Sequence, residues 1–383
     1  MAILRANNGM VMMSDQKTGN VTIDMSGRML YATLGSRSFK RYLDGSVVEM
    51  KWDNDVRVVA RLSEEESAGL MENCISVAEE CLPQSEGATS EAIRKFISSG
   101  RASLKSDAEA VSNLYSGEIP VLPPERSFSL YVQLSTGCRW NRCSLCQAYS
   151  ASEVRYRTLD EFRAHVEKVK GFFGPGLSAR SSVLLGDPSA LNAEQKVLLS
   201  ALDTVRETFN LPIYSFIDLF TIPKSKSVMH YQDMKRHGLE KVYFLLETGS
   251  NRVVKAFRNL TNVTDAINIV NNLKTAGLNV GLIVLAGTGG KTLSREHVEA
   301  TAGIVGQMQL GEGDSLFICP VREDEDSIYA GEMDKRGLVK MSLEEKYREA
   351  DELLKRIREE YESTNGRPLS VKAAKYDLLE SVF

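Results

Sequence analysis

Hydrophobic and polar positions follow two different patterns on either side of residue 120. Residues 1 to about 60 alternate polar and apolar positions, as in Val21-Thr22-Ile23-Asp24-Met25, with glycine-containing turns between the runs. This alternation predicts a meander of about four strands. From Ser63 the apolar residues recur at helical spacing, and a second helical stretch covers about 89–114. The first region is therefore predicted to be a small α+β domain that ends in a Pro-rich loop, 117–124.

Strand-like and helix-like segments alternate beyond this loop. Apolar runs predict strands at 128–134, 181–185, 213–217, 241–246, 279–286 and 314–320, with helices at about 158–172, 193–208, 226–237, 263–276 and 293–308. This order is typical of parallel strands joined by crossover helices. Six units are fewer than the eight of a closed barrel. The sequence therefore predicts an α/β fold with a partial (β/α)6 TIM-type barrel.

The end of the chain has a third pattern. Residues 342–363 form a strongly charged segment with apolar positions at helical spacing, which predicts an amphipathic helix against one side of the barrel. The predicted organisation is an N-terminal α+β accessory domain over 1–120, the barrel over 125–325 and a C-terminal helical extension over 326–383.

Composition and charge narrow the classes of function. The 383 residues include 47 basic and 51 acidic side chains, so the net charge is -4 and a polybasic, histone-like role is excluded. Nucleic acid is an unexpected partner for such a chain. The longest apolar runs are far shorter than the ~18 residues of a membrane-spanning helix, and the N-terminus lacks the apolar stretch of a signal peptide. We therefore expect a cytoplasmic protein without a membrane partner.

Three clustered cysteines carry the strongest chemical signal. Cys138, Cys143 and Cys146 directly follow the first barrel strand, with four residues between the first two and two between the last two. A structural zinc site needs four nitrogen or sulfur ligands, and the nearest histidine is His165. Three thiolates can hold an iron-sulfur cubane that leaves one iron open to another ligand. The alternatives are three incidental thiols in a loop, or a zinc site completed by Cys319.

Acidic residues follow several of the predicted strands. Asp187, Asp218 and Glu247 each stand where an apolar run ends, and catalytic groups of barrels collect at that end of the strands. Carboxylates there suit an amine and a ribose diol. The alternative for Asp187, and for Ser250, is a helix cap, and Gly287-Thr288-Gly289-Gly290 has the alternative of a simple sharp turn.

Taken together, these motifs resemble those of the radical S-adenosylmethionine (radical SAM) enzymes. The chain is similar in particular to the branch with the Elongator catalytic subunit, the methylthiotransferases and oxygen-independent coproporphyrinogen oxidase. The resemblance covers about 127–320 and implies that Cys138, Cys143 and Cys146 bind a 4Fe-4S cluster. Most members have three residues between the first two cysteines and an aromatic residue before the last, whereas this chain has four residues and Leu145.

The resemblance also implies residues that bind S-adenosylmethionine. Near the cluster, Leu145 is expected to contact the adenine through its backbone. After the second strand, Gly186, Asp187 and Pro188 match the short motif that receives the methionine amino group.

Further positions for this cofactor follow the later strands. Asp218 corresponds to the polar residue that approaches the ribose, and Glu247 belongs to the fourth-strand motif. Arg258 lies where some members place a basic residue near the methionine carboxylate. Gly287 and Thr288 end the fifth strand and are expected to border the adenine.

The function implied by the resemblance is reductive cleavage of S-adenosylmethionine. An external one-electron donor such as flavodoxin or ferredoxin would reduce the cluster, and the resulting 5'-deoxyadenosyl radical would abstract hydrogen from the substrate. We expect a small or medium-sized metabolite, with a tetrapyrrole or a natural-product intermediate as candidates. The alternatives are a radical SAM enzyme that modifies tRNA, and a non-radical iron-sulfur or zinc protein acting as scaffold or electron carrier.

Two groups of residues have simpler interpretations. Cys319 is either a catalytic thiol at the mouth of the barrel or a buried residue of the last strand. The histidines show no ligand spacing and are interpreted as surface or packing residues: His165, His230, His237 and His297.

Overall fold

The protein divides into two compact units in a computed structural model. The structure describes residues 2–53, 56–117, 119, 122–138, 143–145, 153–217, 226–258, 263–322 and 327–377. The first unit contains the described residues up to 130 together with 164–182, and the second contains 131–163 and the described residues from 183 onward. The domain boundaries expected from the sequence stay a prediction.

An antiparallel sheet forms the first part of the N-terminal unit. Its strands are β1 (Ile3–Asn7), β2 (Met10–Ser14), β3 (Gly19–Asp24), β4 (Met29–Leu34), β5 (Arg37–Arg41), β6 (Val47–Asp53) and β7 (Val56–Arg61). Each strand pairs with the next, so the predicted meander is present with seven strands instead of four. The first hairpin turn, Asn8-Gly9, has both residues at positive φ, 50° and 72°, which is the geometry of a tight two-residue turn.

Two helices cover one face of this sheet, α1 (Glu64–Cys81) and α2 (Gly87–Leu114). A capping box of Ser63 and Glu66 starts α1, as its sequence indicates. The apolar stripe of α1, which includes Met71, Cys74 and Val77, is buried against β2 and β3. Burial of this stripe and of the inner sheet face builds the core of the unit.

The second unit alternates strands and helices. The strands are β8 (Ser129–Gln133), β9 (Ser135–Thr136), β10 (Arg155–Tyr156), β11 (Ser182–Gly186), β12 (Ile213–Phe216), β13 (Leu239–Glu247), β14 (Asn279–Ala286), β15 (Ser315–Pro320) and β16 (Lys372–Lys375). Helix α3 (Leu159–Phe173) begins in this unit and ends in the first. The other helices are α4 (Gln195–Phe209), α5 (Val228–Arg236), α6 (Asn251–Arg258), α7 (Asp265–Thr275), α8 (Gly290–Gly306), α9 (Ile328–Lys335) and α10 (Leu343–Asn365). Short 3-10 helices occupy Leu82–Gln84, Pro124–Arg126, Gly174–Ala179 and Ala190–Asn192.

The main sheet of this unit confirms the predicted α/β class. Its strands lie in the order β8, β11, β12, β13, β14, β15, β16, and the pairs from β11 onward are parallel. Strands β8, β11, β12 and β15 are buried at every position, as expected for a parallel sheet covered on both faces. Strand β16 adds a seventh strand, parallel to β15, that the sequence pattern does not predict.

Helix α10 fixes the far side of the sheet. A capping box of Ser342 and Glu345 begins the helix, and Gly366 ends it in the left-handed region at φ 66°. The helix packs on α8, β14 and β15. Its buried face therefore lies beneath the loops that follow these strands.

Within the described part of the chain, no helix combines the length and the apolar character required to cross a membrane.

Candidate cofactor site at the strand ends

The predicted site residues follow the carboxyl ends of the parallel strands. Strand β8 leads into the cysteine segment, by which we mean residues 137–146. Strand β11 leads into Asp187, strand β13 ends at Glu247, and strand β14 leads into Gly287. Strands that run parallel place these ends at one edge of the sheet. Cys146 and Asp218 lie outside the described residues, as does the side chain of Arg258.

Asp187 connects the cysteine segment to the second barrel loop. Its Oδ2 accepts a hydrogen bond of 3.2 Å from the backbone N–H of Gly137, the residue before Cys138. Its own N–H donates to the carbonyl of Ser135 at 3.2 Å. The Tyr131 hydroxyl donates to Oδ1. Asp187 is completely buried, so this carboxylate holds the start of the cysteine segment against the loop after β11.

This arrangement bears on the helix-cap interpretation of Asp187. A helix cap would place the side chain on the N–H groups of the following turn. Here the carboxylate accepts hydrogen bonds from the Tyr131 hydroxyl in β8 and from the backbone N–H of Gly137. The close approach explains Gly186, because a Cβ there would lie 2.1 Å from the Tyr131 hydroxyl.

A second contact anchors the middle of the cysteine segment. The backbone N–H and the hydroxyl of Ser144 both donate to the carbonyl of Phe257, at 3.0 and 2.8 Å. Phe257 directly precedes Arg258 at the end of α6. Cys143 and Leu145 flank the anchored serine and are both half-buried. The structure therefore brings the cysteine segment to the end of α6, as a shared cofactor site requires.

Glu247 ends β13 in an unusual backbone conformation. Its φ is 59°, in the left-handed region that non-glycine residues rarely adopt, and the register with β14 shifts at this point. The residue is 1% exposed. Backbone of this kind costs free energy and concentrates at functional sites. The neighbouring Ser250 accepts a hydrogen bond of 3.2 Å from Val253 N–H and caps α6.

A buried polar network lies behind these loops and was missed from the sequence. His297 of α8 is completely buried, and its Nδ1 lies 2.8 Å from the Thr248 hydroxyl. Glu349 of α10 accepts a hydrogen bond from the backbone N–H of Gly287. The His297 Nε2 and Glu349 Oε2 atoms are 3.9 Å apart. The sequence indicates only a surface or packing residue at His297, because the neighbouring residues of its helix do not show that it contacts the loop after β13.

Burial sets the charge of this network. Desolvation lowers the pKa of His297 to about 4 and raises the pKa of Glu349, whose hydrogen bonds act in the opposite direction. His297 is therefore neutral at pH 7. A neutral imidazole contacts the loop after β13, and a carboxyl group contacts the loop after β14.

The loop after β14 packs closely on α10. Gly287 has φ 86°, and a Cβ there would lie 2.7 Å from the Lys346 side chain. The ammonium group of Lys346 is buried and donates to the Val321 carbonyl at 2.8 Å. The Thr288 hydroxyl donates to the carbonyl of Leu285 at 3.0 Å. A glycine is therefore required at position 287 both by its positive φ and by the close approach of the Lys346 side chain.

Unsatisfied polar atoms around Asp187 fit a polar cofactor. The hydroxyl oxygens of Ser135 and Ser189 and both side-chain amide atoms of Asn192 are buried without a hydrogen-bond partner. Buried polar groups in proteins almost always have partners. A ligand with an amine, a carboxylate and a ribose can supply them. The half-buried thiols of Cys138 and Cys143 add the sulfur ligands that a 4Fe-4S cluster takes.

Cys319 is 0% exposed within β15. This agrees with its interpretation as a buried residue of the last barrel strand.

Comparison with protein families gives one match, to part of the chain. Residues 132–304 match the family model described as the Radical SAM superfamily. This range begins in β8 and ends in α8, so it contains the cysteine segment and the loops described above. These 173 of the 383 residues, less than half of the chain, are similar to the radical SAM superfamily. Enzymes of this superfamily bind a 4Fe-4S cluster and S-adenosylmethionine.

The structure is also similar to several solved structures. Methylornithine synthase (PylB) has 16% identity and a TM-score of 0.43, with 77% of this chain and 77% of that chain covered. The FeFe-hydrogenase maturase HydG from Carboxydothermus hydrogenoformans has 13% identity, a TM-score of 0.42 and coverage of 82% and 77%. SuiB from Streptococcus suis has 12% identity, a TM-score of 0.43 and coverage of 87% and 70%. No curated protein matches the sequence.

Proposed function

We propose that the protein cleaves S-adenosylmethionine reductively and uses the resulting radical to abstract hydrogen from a small or medium-sized metabolite. Cys138, Cys143 and Cys146 are the proposed ligands of the cluster. The observation that carries this assignment is the bond between Asp187 and Gly137, because it ties the cysteine segment to the loop proposed for the methionine end of the cofactor.

The residues of the domain have separate tasks in this proposal. The bound cluster and S-adenosylmethionine supply the radical chemistry. Asp187 holds the cysteine segment in position, and the Phe257 carbonyl holds Ser144. Glu349 and His297 hold the loops after β14 and β13. These contacts preorganise the strand ends, so little reordering is needed when the cofactor binds.

The remaining cofactor positions belong to the same proposal. Leu145, Gly186 and Pro188 stand beside the anchored loops, and Glu247, Gly287 and Thr288 end the fourth and fifth strands. Their buried or half-buried positions support contacts with a cofactor that is shielded from water. Asp218 is proposed for the ribose and Arg258 for the methionine carboxylate.

A metabolite is the proposed substrate because the chain has a net charge of -4. This charge gives no general attraction for RNA. A tetrapyrrole or a natural-product intermediate, and membership of the branch with coproporphyrinogen oxidase, are the finer parts of this proposal. We further propose a cytoplasmic location and reduction by a flavodoxin or ferredoxin, since clustered thiolates persist in a reducing compartment.

The first test is anaerobic reconstitution of the full chain with iron and sulfide. The protein is then reduced with dithionite in the presence of S-adenosylmethionine, and 5'-deoxyadenosine is followed by mass spectrometry. We expect 5'-deoxyadenosine from the wild type and none from Cys143→Ala. The matched control is Cys319→Ala, which removes a thiol that is buried in β15.

The control also separates the rival functions. Cys319→Ala should retain iron and cleavage activity, whereas a zinc site completed by Cys319 would lose its metal. A wild-type protein that assembles a four-iron cluster but neither binds nor cleaves S-adenosylmethionine would contradict the proposal and support an electron carrier or scaffold.

A further inference from the structure

A small basic pocket lies within the N-terminal unit. We call it the arginine pocket, because Arg28, Arg41 and Arg180 line it together with the half-buried rings of Tyr31 and Phe128. The two rings stand edge to face, with centroids 5.9 Å apart. The cavity volume is about 30 Å³, which has room for about two water-sized groups. Its size suits the charged end of a small molecule.

Two carboxylates face the three positively charged guanidinium groups of this pocket. Asp107 Oδ2 accepts hydrogen bonds from Arg28 Nε at 3.0 Å and from Arg41 Nη2 at 2.7 Å. Asp24 Oδ2 lies 3.8 Å from Arg180 Nη2, which is beyond hydrogen-bond distance. Among the described residues, these are the ion pairs of the three arginines. The pocket therefore holds one guanidinium charge more than its carboxylates neutralise.

Several guanidinium nitrogens in this pocket lack hydrogen-bond acceptors. Arg28 Nη1, Arg41 Nε, Arg180 Nε and Arg180 Nη2 are all buried without a partner. The side chains of Arg41 and Arg180 are only 1% and 4% exposed. Leaving a buried charged donor unsatisfied is costly. The unpaired donors destabilise the protein when no ligand is bound, and they could donate hydrogen bonds to an acceptor group of a ligand.

Aromatic rings position two of the three arginines. The Arg28 guanidinium lies over the Phe172 ring at 4.3 Å, and that of Arg180 lies over Phe173 at 4.5 Å. Stacking of this kind fixes the plane of a guanidinium and leaves its edge for hydrogen bonds. Burial lowers the pKa of Arg180 to about 10, so the group stays charged at neutral pH.

We propose that the arginine pocket binds an oxyanion, the phosphate or carboxylate group of a small molecule. The planar guanidinium fork matches both anions through paired N–H donors. A bound oxyanion would offer acceptors to the guanidinium groups that line the pocket and would neutralise the excess positive charge. The rings of Tyr31 and Phe128 offer an apolar wall for the body of the ligand.

The test is isothermal titration of the full chain with sodium phosphate, and separately with sodium acetate, against sodium chloride at matched ionic strength. The variants are Arg180→Met and the less buried Arg28→Gln. The control is Arg37→Gln, which removes an exposed arginine of β5 that pairs with Glu49 outside the pocket. We expect saturable binding of phosphate or acetate, a loss of affinity of about tenfold or more in both pocket variants, and wild-type binding in the control.

The outcomes identify the ligand or reject the site. Saturation by phosphate alone indicates a phosphorylated ligand, and saturation by acetate alone indicates a carboxylate. The absence of saturable heat from the wild type up to about 10 mM of either anion, a range that includes weak single-site ligands, would overturn the proposal. Equal binding by the wild type and Arg28→Gln would also overturn it. The wild-type titration remains decisive if Arg180→Met does not fold, and it is independent of cofactor cleavage.

Discussion

The two units use buried charge in different ways. In the second unit, buried carboxylates accept hydrogen bonds from backbone N–H groups of the loops, as Asp187 does from Gly137 and Glu349 does from Gly287. In the N-terminal unit, buried guanidinium groups converge on two carboxylates, and nitrogens of Arg41 and Arg180 are left over. The first arrangement positions the polypeptide backbone. The second leaves hydrogen-bonding capacity for another molecule.

This difference shows how burial alone fails to indicate function. Asp187 and Asp24 are both 0% exposed, yet one carboxylate links two loops while the other leaves an oxygen without a hydrogen bond. What separates the two sites is the balance of donors and acceptors around each buried charge. The following changes test that distinction.

The largest effect is expected from Asp187→Ala. This substitution leaves the Gly137 N–H and the Tyr131 hydroxyl buried without their acceptor, and each such donor costs about 1–3 kcal/mol. We expect the free energy of unfolding to fall by about 3 kcal/mol and iron incorporation to fall with it. Urea unfolding and iron analysis after reconstitution measure the two effects.

Tyr131→Phe is the matched control for this change. It removes one hydroxyl that bonds to Asp187 but keeps the bond from Gly137, so we expect a loss of about 1 kcal/mol with iron incorporation retained. If Asp187→Ala bound as much iron as Tyr131→Phe, Asp187 would not position the cysteine segment.

A second, smaller effect depends on pH. The folded pKa of His297 is about 4 against an ordinary value of 6.5, so the unfolded chain takes up the proton first as pH falls. The contribution of His297 is complete above pH 6.5 and is lost towards pH 4. Between pH 7 and pH 5 the loss is about 2 kcal/mol.

Glu349 changes the free energy of unfolding with pH in the opposite direction, so its contribution must be separated from that of His297. Its raised pKa means that its stabilising contribution, present at low pH, decreases as pH rises above the ordinary value of 4.5. We therefore compare unfolding of the wild type and His297→Gln at both pH values, each in a Glu349→Gln background as well. The advantage of histidine should be smaller at pH 5 by about 2 kcal/mol. A constant difference between the variants would refute a neutral, buried His297.

The smallest effect is expected when the first residue of a helix cap is changed, once in each of the two units. Capping boxes start α1 at Ser63 and α10 at Ser342. Replacement of either serine by alanine should cost about 1 kcal/mol of unfolding free energy. Only Ser342→Ala should accelerate hydrogen exchange at the Gly287 amide, because that amide bonds to Glu349 of α10. Equal exchange in the two variants would show that α10 does not control this loop.

Much of the fold could be predicted from local patterns. Polar and apolar alternation indicates the first sheet, and helical spacing indicates α1 and α10, since each pattern depends on neighbours within a few residues. The sequence pattern predicts about four of the seven meander strands and misses the rest, because the hairpins are short and turn on pairs such as Asn8-Gly9. Strand β16 is also too short for a clear pattern.

The sequence proposes candidate site residues where their chemistry is local. Cys138, Cys143 and Cys146 are close together in the sequence, and Asp187 and Glu247 stand at the ends of apolar runs. The role of Asp187 was not predictable, because its partner Gly137 is 50 residues away. The same holds for Glu349, which meets Gly287 across 62 residues.

The sequence by itself therefore determined the class of fold, the cysteine motif and the capping box that starts α1, since all of these depend on residue type and short-range spacing. Only the tertiary structure decided which buried charges meet. It brought Arg41 to Asp107 across 66 residues and His297 to Thr248 across 49. The physical reason is that the pKa and the hydrogen-bond balance of a buried group depend on neighbours in space, and sheet pairing and helix packing select those neighbours.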